Sequence, residues 1–71
     1  MASDICNALG KRVRKLRKEK GWNQTYLSVH TGISLTFISE IERGKKEPCL
    51  RLVEVLANGF GLSISQLFRG L

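Results

Sequence analysis

From Ile5 onward the apolar residues Ile5, Leu9, Val13 and Leu16 recur at i, i+4, i+8 and i+11. At about 100° per residue they share a stripe roughly 80° wide, which predicts an amphipathic helix over about residues 4–20. Most basic residues of that stretch project away from the stripe, while Arg17 flanks it. Gly21 ends the helix, because glycine enters the left-handed conformation at little cost. Asn23 then caps a short helix over about residues 24–31, with Leu27 and Thr31 on one face and Gly32 closing it. After Ile33, Ser34 caps a third helix over about residues 35–43, which Gly44 stops. Pro48 and the polar residues before it form a loop that cannot continue that helix. A fourth helix over about residues 50–60 carries Leu50, Val53, Leu56, Ala57 and Phe60 as its core stripe, and Gly61 terminates it. Ser63 and Gln66 form a capping box for a short fifth helix over about residues 64–69, with Ile64, Leu67, Phe68 and Leu71 at i, i+3, i+4 and i+7. The expected class is all-α: five short helices, no strands, no internal repeat, and one domain over residues 1–71.

Length and composition narrow the picture. The chain has 71 residues, 42% hydrophobic and 25% charged, the balance of an ordinary soluble globular domain. A chain this short buries only about 60% of the surface it exposes when unfolded, so a second copy would add useful burial. The longest apolar run falls far short of the roughly 20 residues that span a bilayer, and no membrane association is expected. Asp4 and Asn7 precede the basic run, the reverse of a signal peptide, so a cytoplasmic protein is expected. Cys6 and Cys49 are too few for a disulfide framework and lack metal-ligand spacing, so no metal is expected. Both read as small buried or half-buried thiols, with a redox bond between them as the alternative. His30 has no Ser, Cys or carboxylate at a readable spacing and reads as a surface residue, while Trp22 covers the junction of the first two helices. Without a catalytic constellation or a phosphate-binding glycine loop, neither an enzyme nor a cofactor nor a small-molecule ligand is expected.

Charge placement says more than the formal total of +6. Residues 11–20, KRVRKLRKEK, hold seven of the twelve basic residues and one acid, and the rest of the chain carries five of each sign. A smaller cluster follows at Arg43, Lys45 and Lys46, and between the two the only fixed charges are Glu40 and Glu42. Two positive flanks around a near-neutral segment suit a partner with an anionic backbone and an interior read by neutral groups; a solvated helix face is the bland alternative.

The neutral segment holds two short helices joined through Gly32, Ile33 and Ser34, the spacing of a helix-turn-helix with its second helix as the reading element. On that helix Ile38, Ile41 and Glu42 point one way, and Thr36, Ser39, Glu40 and Arg43 cluster on the other side. Small hydroxyls and one Arg can approach base edges closely.

The stretch NQTYLSVHTGISLTFISEIERGK resembles the helix-turn-helix of the lambda-repressor-like, or xenobiotic-response-element, family. The matching positions are Gln24, Leu27, Thr31 to Ser34, Ile38, Ile41, Glu42 and Gly44, and the flanks extend the likeness over about residues 9–68. Size and helical plan most resemble the stand-alone controller proteins of restriction–modification systems. Ser28 stands where small Ala is usual, Cys49 where Ser or Thr often caps, and Gly59 weakens the fourth helix by up to ~1 kcal/mol relative to Ala.

The resemblance implies a compact five-helix fold and a transcriptional regulator of double-stranded DNA. Ser34, Leu35 and Thr36 would enter the major groove first, with Ser39, Glu40 and Arg43 behind them. Leu35 either meets a thymine methyl or joins the core, and Arg43 reaches a guanine or only a phosphate. Glu40 orients Arg43, accepts from a cytosine, or forms an exposed ion pair with Arg43. Asn23, Gln24, Lys45 and Lys46 would contact phosphates, Gln24 through its amide and the start of its helix; otherwise Gln24 is a tolerated polar residue near a helix start and the two lysines face solvent. Phe37 reads as an edge residue by the sugar–phosphate backbone or as a buried aromatic. Arg17 and Glu42 match a structural ion pair of the family that would lock the first helix onto the third. Leu52, Val55, Ile64, Leu67, Phe68 and Leu71 exceed what one core needs and suggest a two-fold homodimer on a near-palindromic operator, the alternative being that the fifth helix only caps the monomer core. RNA polymerase is a further partner such a regulator would meet. The rival reading is an antitoxin or adaptor acting mainly through a protein partner, disfavoured by the few residues after the fifth helix.

Overall fold

The structure, a computed structural model, describes residues 2–71, with side chains from Ile5 onward. Five helices follow one another: α1 (Ala2–Glu19), α2 (Gln24–Thr31), α3 (Leu35–Glu42), α4 (Leu50–Gly59) and α5 (Ile64–Leu67). There is no strand among the described residues. The radius of gyration, 10.8 Å, is what ~11 Å from chain length leads one to expect of a compact fold.

One residue from each helix forms the centre. Val13, Leu27, Ile38, Leu56 and Leu67 are all wholly buried, joined by Leu9, Ile33, Ile41, Val53, Ala57 and Phe60. Each such side chain contributes about 1.5–3 kcal/mol by leaving water. Around this centre α1 packs on α3, α3 on α2, α2 on α4 and α4 on α5. The α1–α3 approach requires Gly10: a Cβ there would stand 2.7 Å from the Glu42 carbonyl oxygen and closer still to that of Ile41. Trp22 covers the α1–α2 junction as expected and also reaches α4, stacking on Phe60 at 5.9 Å between ring centroids.

Several expectations are corrected. Leu67 is 0% exposed, so it belongs to the chain's own core and not to a dimer surface. Leu50, placed in the core stripe of the fourth helix, is instead 77% exposed. It is the first residue of α4, and side chains lean toward a helix N-terminus, which carries this one past the packed turn. Cys49 is exposed at the N-cap of α4 and makes no capping bond, whereas Cys6 is buried; both thiols are free. Gly59 is a packing requirement, not only a weak point, because a Cβ there would stand 2.8 Å from the Thr31 methyl. The fifth helix ends at Leu67, short of 69, where Arg12 takes the carbonyls that another turn would use.

Candidate nucleic-acid interface

The turn between α2 and α3 is held by side chains of α2. Ser28 Oγ donates to the Ile33 carbonyl at 2.5 Å, and Thr31 Oγ1 donates to the Leu27 carbonyl at 2.7 Å while accepting from the Ile33 N–H at 3.3 Å. Gly32 supplies the left-handed step, at φ 78°. With Ile33 and Ile38 buried on one side, α3 has one orientation open to it. Ser28 therefore does at the turn what Ala could not.

At the start of α3, Ser34 Oγ accepts from the Phe37 N–H at 3.1 Å, and Ser34, Leu35 and Thr36 are exposed. Leu35 is 46% exposed, outside the buried core. Ser39 and Glu40 are half-buried further along the same side. Arg43 lies one residue beyond α3 as its C-cap, exposed, with Nε donating to the Ser39 carbonyl at 3.3 Å. No Glu40–Arg43 hydrogen bond or ion pair forms among the described residues, so Arg43 is tied to backbone instead. Phe37 is half-buried and packs against the core. Lys45 and Lys46 are exposed in the following loop, where Gly44, at φ 72°, turns the chain and the Lys45 N–H closes on the Glu40 carbonyl at 2.8 Å.

The start of α2 lies beside the end of α3. Asn23 Oδ1 accepts from the Tyr26 N–H at 2.7 Å, leaving the Asn23 amide hydrogens to donate elsewhere. Gln24 does not present its amide freely: Nε2 donates to Glu42 Oε1 at 3.0 Å. The same carboxylate takes Arg17, with Nε to Oε2 at 2.7 Å and Nη2 to Oε1 at 3.0 Å. Arg17 is 8% exposed and also donates Nη1 to the Trp22 carbonyl at 2.9 Å. The hydrogen bond to Glu42 raises the pKa of the Arg17 guanidinium against the opposing effect of burial. The pair locks α1, α2 and α3 together where they converge.

The basic run of α1 is divided by the fold. Besides Arg17, Arg12 is engaged, with Nε to the Leu67 carbonyl at 3.0 Å and Nη2 to the Gln66 carbonyl at 2.9 Å; both cap α5. Lys20 lies 5.5 Å from the centre of the Trp22 ring. Nothing in the sequence marks Arg12, since its partners lie more than fifty residues away. The candidate dimer residues are also divided. Ile64 shares a depression with Leu50, Arg51 and Glu54, Phe68 lines a different groove with Ile5, Cys6 and Leu9, and Val55 borders His30 and Gly59.

Two short helices joined by this turn, inside a five-helix frame, define a helix-turn-helix domain. The helix-turn-helix family pattern matches residues 13–67, and the chain belongs to that family. It is 38% identical over 60 residues to the competence pilus inhibition repressor of Acinetobacter baylyi, a match covering 84% of this chain and 54% of the repressor. It is 34% identical over 67 residues to the control protein C.MunI of a Mycoplasma species, covering 93% of this chain and 90% of that protein. Among solved structures, the restriction–modification controller C.AhdI of Aeromonas hydrophila superposes with a TM-score of 0.87 at 28% identity, covering 92% of this chain and 98% of the controller. The chain thus spans about half the length of the Acinetobacter repressor and nearly all of the two controllers. These relatives are transcriptional regulators and controllers rather than enzymes, and no helix among the described residues is long and apolar enough to cross a membrane.

Proposed function

We propose that residues 1–71 act as one sequence-specific, double-stranded-DNA-binding transcriptional regulator that works in the cytoplasm. The carrying observation is α3, anchored by wholly buried Ile38 and Ile41 while Ser34, Leu35 and Thr36 stay open at its leading end. An α-helix so mounted fits the major groove, and short hydroxyl and methyl groups can reach base edges there. Arg43 meets a guanine or a phosphate, Ser39 and Glu40 adjoin the groove wall, and Phe37 packs beside the backbone. The Gln24 and Thr25 N–H groups at the start of α2 receive a phosphate, with Asn23, Lys45 and Lys46 holding its neighbours. Gln24 contributes through that backbone position and its second amide hydrogen, since Glu42 holds the first.

A homodimer on a near-palindromic operator is supported by the apolar residues left exposed on α4, on α5 and after it, Leu50, Ile64 and Leu71, whereas Leu52, Val55 and Phe68 are half-buried against the core. Two copies of α3 would lie about 34–36 Å apart. The match to restriction–modification controllers along nearly their whole length supports a controller acting on its own promoter, where RNA polymerase is the second partner. Selection of bound fragments from random duplex DNA tests this. A shared inverted-repeat sequence is expected, and recovery of no common sequence would overturn it.

A further inference from the structure

Seven basic residues crowd residues 11–20, and the fold leaves four of them, Lys11, Arg14, Lys15 and Lys18, exposed on α1. They are not equivalent. Three contacts fix the directions around the α1 axis. Gly10 faces the backbone of α3, Arg17 reaches the Glu42 carboxylate of α3, and Arg12 faces the end of α5. With 3.6 residues per turn, Gly10 and Arg17 point within ~20° of each other and Arg12 points ~160° from Gly10. Measured from Gly10, Arg14 lies ~40°, Lys18 ~80°, Lys11 ~100° and Lys15 ~140° away; Lys11 and Lys18 thus share a direction but stand ~10 Å apart along the axis, with Lys18 at the end nearer α2.

Gly10, Arg14 and Arg17 therefore run i, i+4, i+7 along the edge that faces α3. Gly10 and Arg17 are buried and Arg14 is exposed, so its charge overhangs that edge. Lys18 follows one turn later, beside Arg17, whose carboxylate partner also holds Gln24 at the start of α2. The acid on this edge, Glu42, is already occupied by Arg17 and Gln24. The α5 side differs: Glu19 lies there, four residues after Lys15, beside Arg12, Leu16 and Gln66. Arg14 and Lys18 thus lie toward α3 and the start of α2, where the Glu42 carboxylate is already taken, whereas Lys15 lies toward Glu19 on the α5 side.

We infer that Arg14 and Lys18 grip the sugar–phosphate backbone of the bound duplex beside the start of α2, while Lys11 and Lys15 stay in solvent. This rests on the DNA-binding reading above and adds a binding strip from α1 to it. Like charges at i, i+4 oppose helix stability, so the pair weakens the free fold and is relieved when phosphates neutralise it.

Two double variants of equal charge separate placement from net charge: Arg14→Gln with Lys18→Gln, and Lys11→Gln with Lys15→Gln. The probe is the tightest-binding duplex recovered from a random-sequence pool, titrated at several salt concentrations. Loss of two phosphate contacts lowers the slope of log affinity against log salt by about 1.8. The affinity lost between about 50 and 200 mM salt then shrinks about twelvefold for the first variant, and hardly at all for the second. Thermal melting at low salt should show neither variant less stable than the parent. Equal slope changes in the two variants, or a larger change in the second, would overturn the inference and leave the DNA reading standing. If the parent protein binds no duplex, both fall.

Discussion

At Glu42 one carboxylate takes three hydrogen bonds, two from Arg17 and one from Gln24, and the ion-paired side chains are only 10% and 4% exposed. Removing it leaves a guanidinium largely out of water with only the Trp22 carbonyl for company. Glu42→Ala should therefore cost about 3 kcal/mol or more, the scale for breaking a buried pair. In a chain of this size each kcal/mol moves the melting temperature by roughly 4–8 °C, so a melt equal to the parent's would refute the pairing. Because the pKa of Arg17 is raised, the stability it confers is present below its unfolded value and lost only above that, beyond ordinary working pH. Gly59 makes an opposite point. Gly→Ala in an open helix stabilises by about 1 kcal/mol, but here the new methyl would meet the Thr31 methyl at 2.8 Å. Turning Thr31 away would break its bonds to Leu27 and Ile33. Gly59→Ala should lower stability, and Thr31→Ser, which keeps the hydroxyl and drops the methyl, should restore it; melts of the single and double variants check this.

The helices announce their own ends. Asn23, Ser34 and Ser63 each cap a helix with a side-chain oxygen, and α5 has the full capping box with Gln66. These signals are local, so element order and most boundaries could be read from the sequence within a residue or two. What was not legible depends on contacts between distant segments. The stripe Ile64, Leu67, Phe68 and Leu71 is plain in the sequence, yet periodicity cannot say whether it meets its own core or another copy. Leu67 meets the core because Arg12 and α4 hold α5 down. Leu50 fails the opposite way, since a first-turn residue can match a stripe and still overhang it. At the site, the outward placement of Thr36 was foreseeable from the angles of α3, whereas the exposure of Leu35 and the Gln24–Glu42 bond were not. Arg12→Ala should uncap α5 and cost about 1 kcal/mol, with faster amide exchange in residues 64–71. Exchange unchanged there would contradict the capping role.

For the molecule as a whole, burial and charge divide the surface into three regions. The leading end of α3 offers short polar and methyl groups, exposed cations lie on α1 and in the loop after α3, and Leu50 and Ile64 share a depression with Arg51 and Glu54. If that spot joins two copies, Leu50→Glu should shift sedimentation at micromolar concentration from dimer to monomer without lowering helix content. A parent protein already monomeric there would rule out the dimer at that concentration. Base reading by α3 is tested by binding of Thr36→Ala, Arg43→Ala and Lys45→Ala proteins to a panel of operator duplexes, each changed at one base pair. Thr36→Ala should lose discrimination at its own position by about 1–3 kcal/mol, and Arg43→Ala likewise if it meets a guanine, while Lys45→Ala should weaken every duplex alike. A Thr36→Ala protein whose preference for each base pair matched the parent's would show that α3 does not read bases through Thr36.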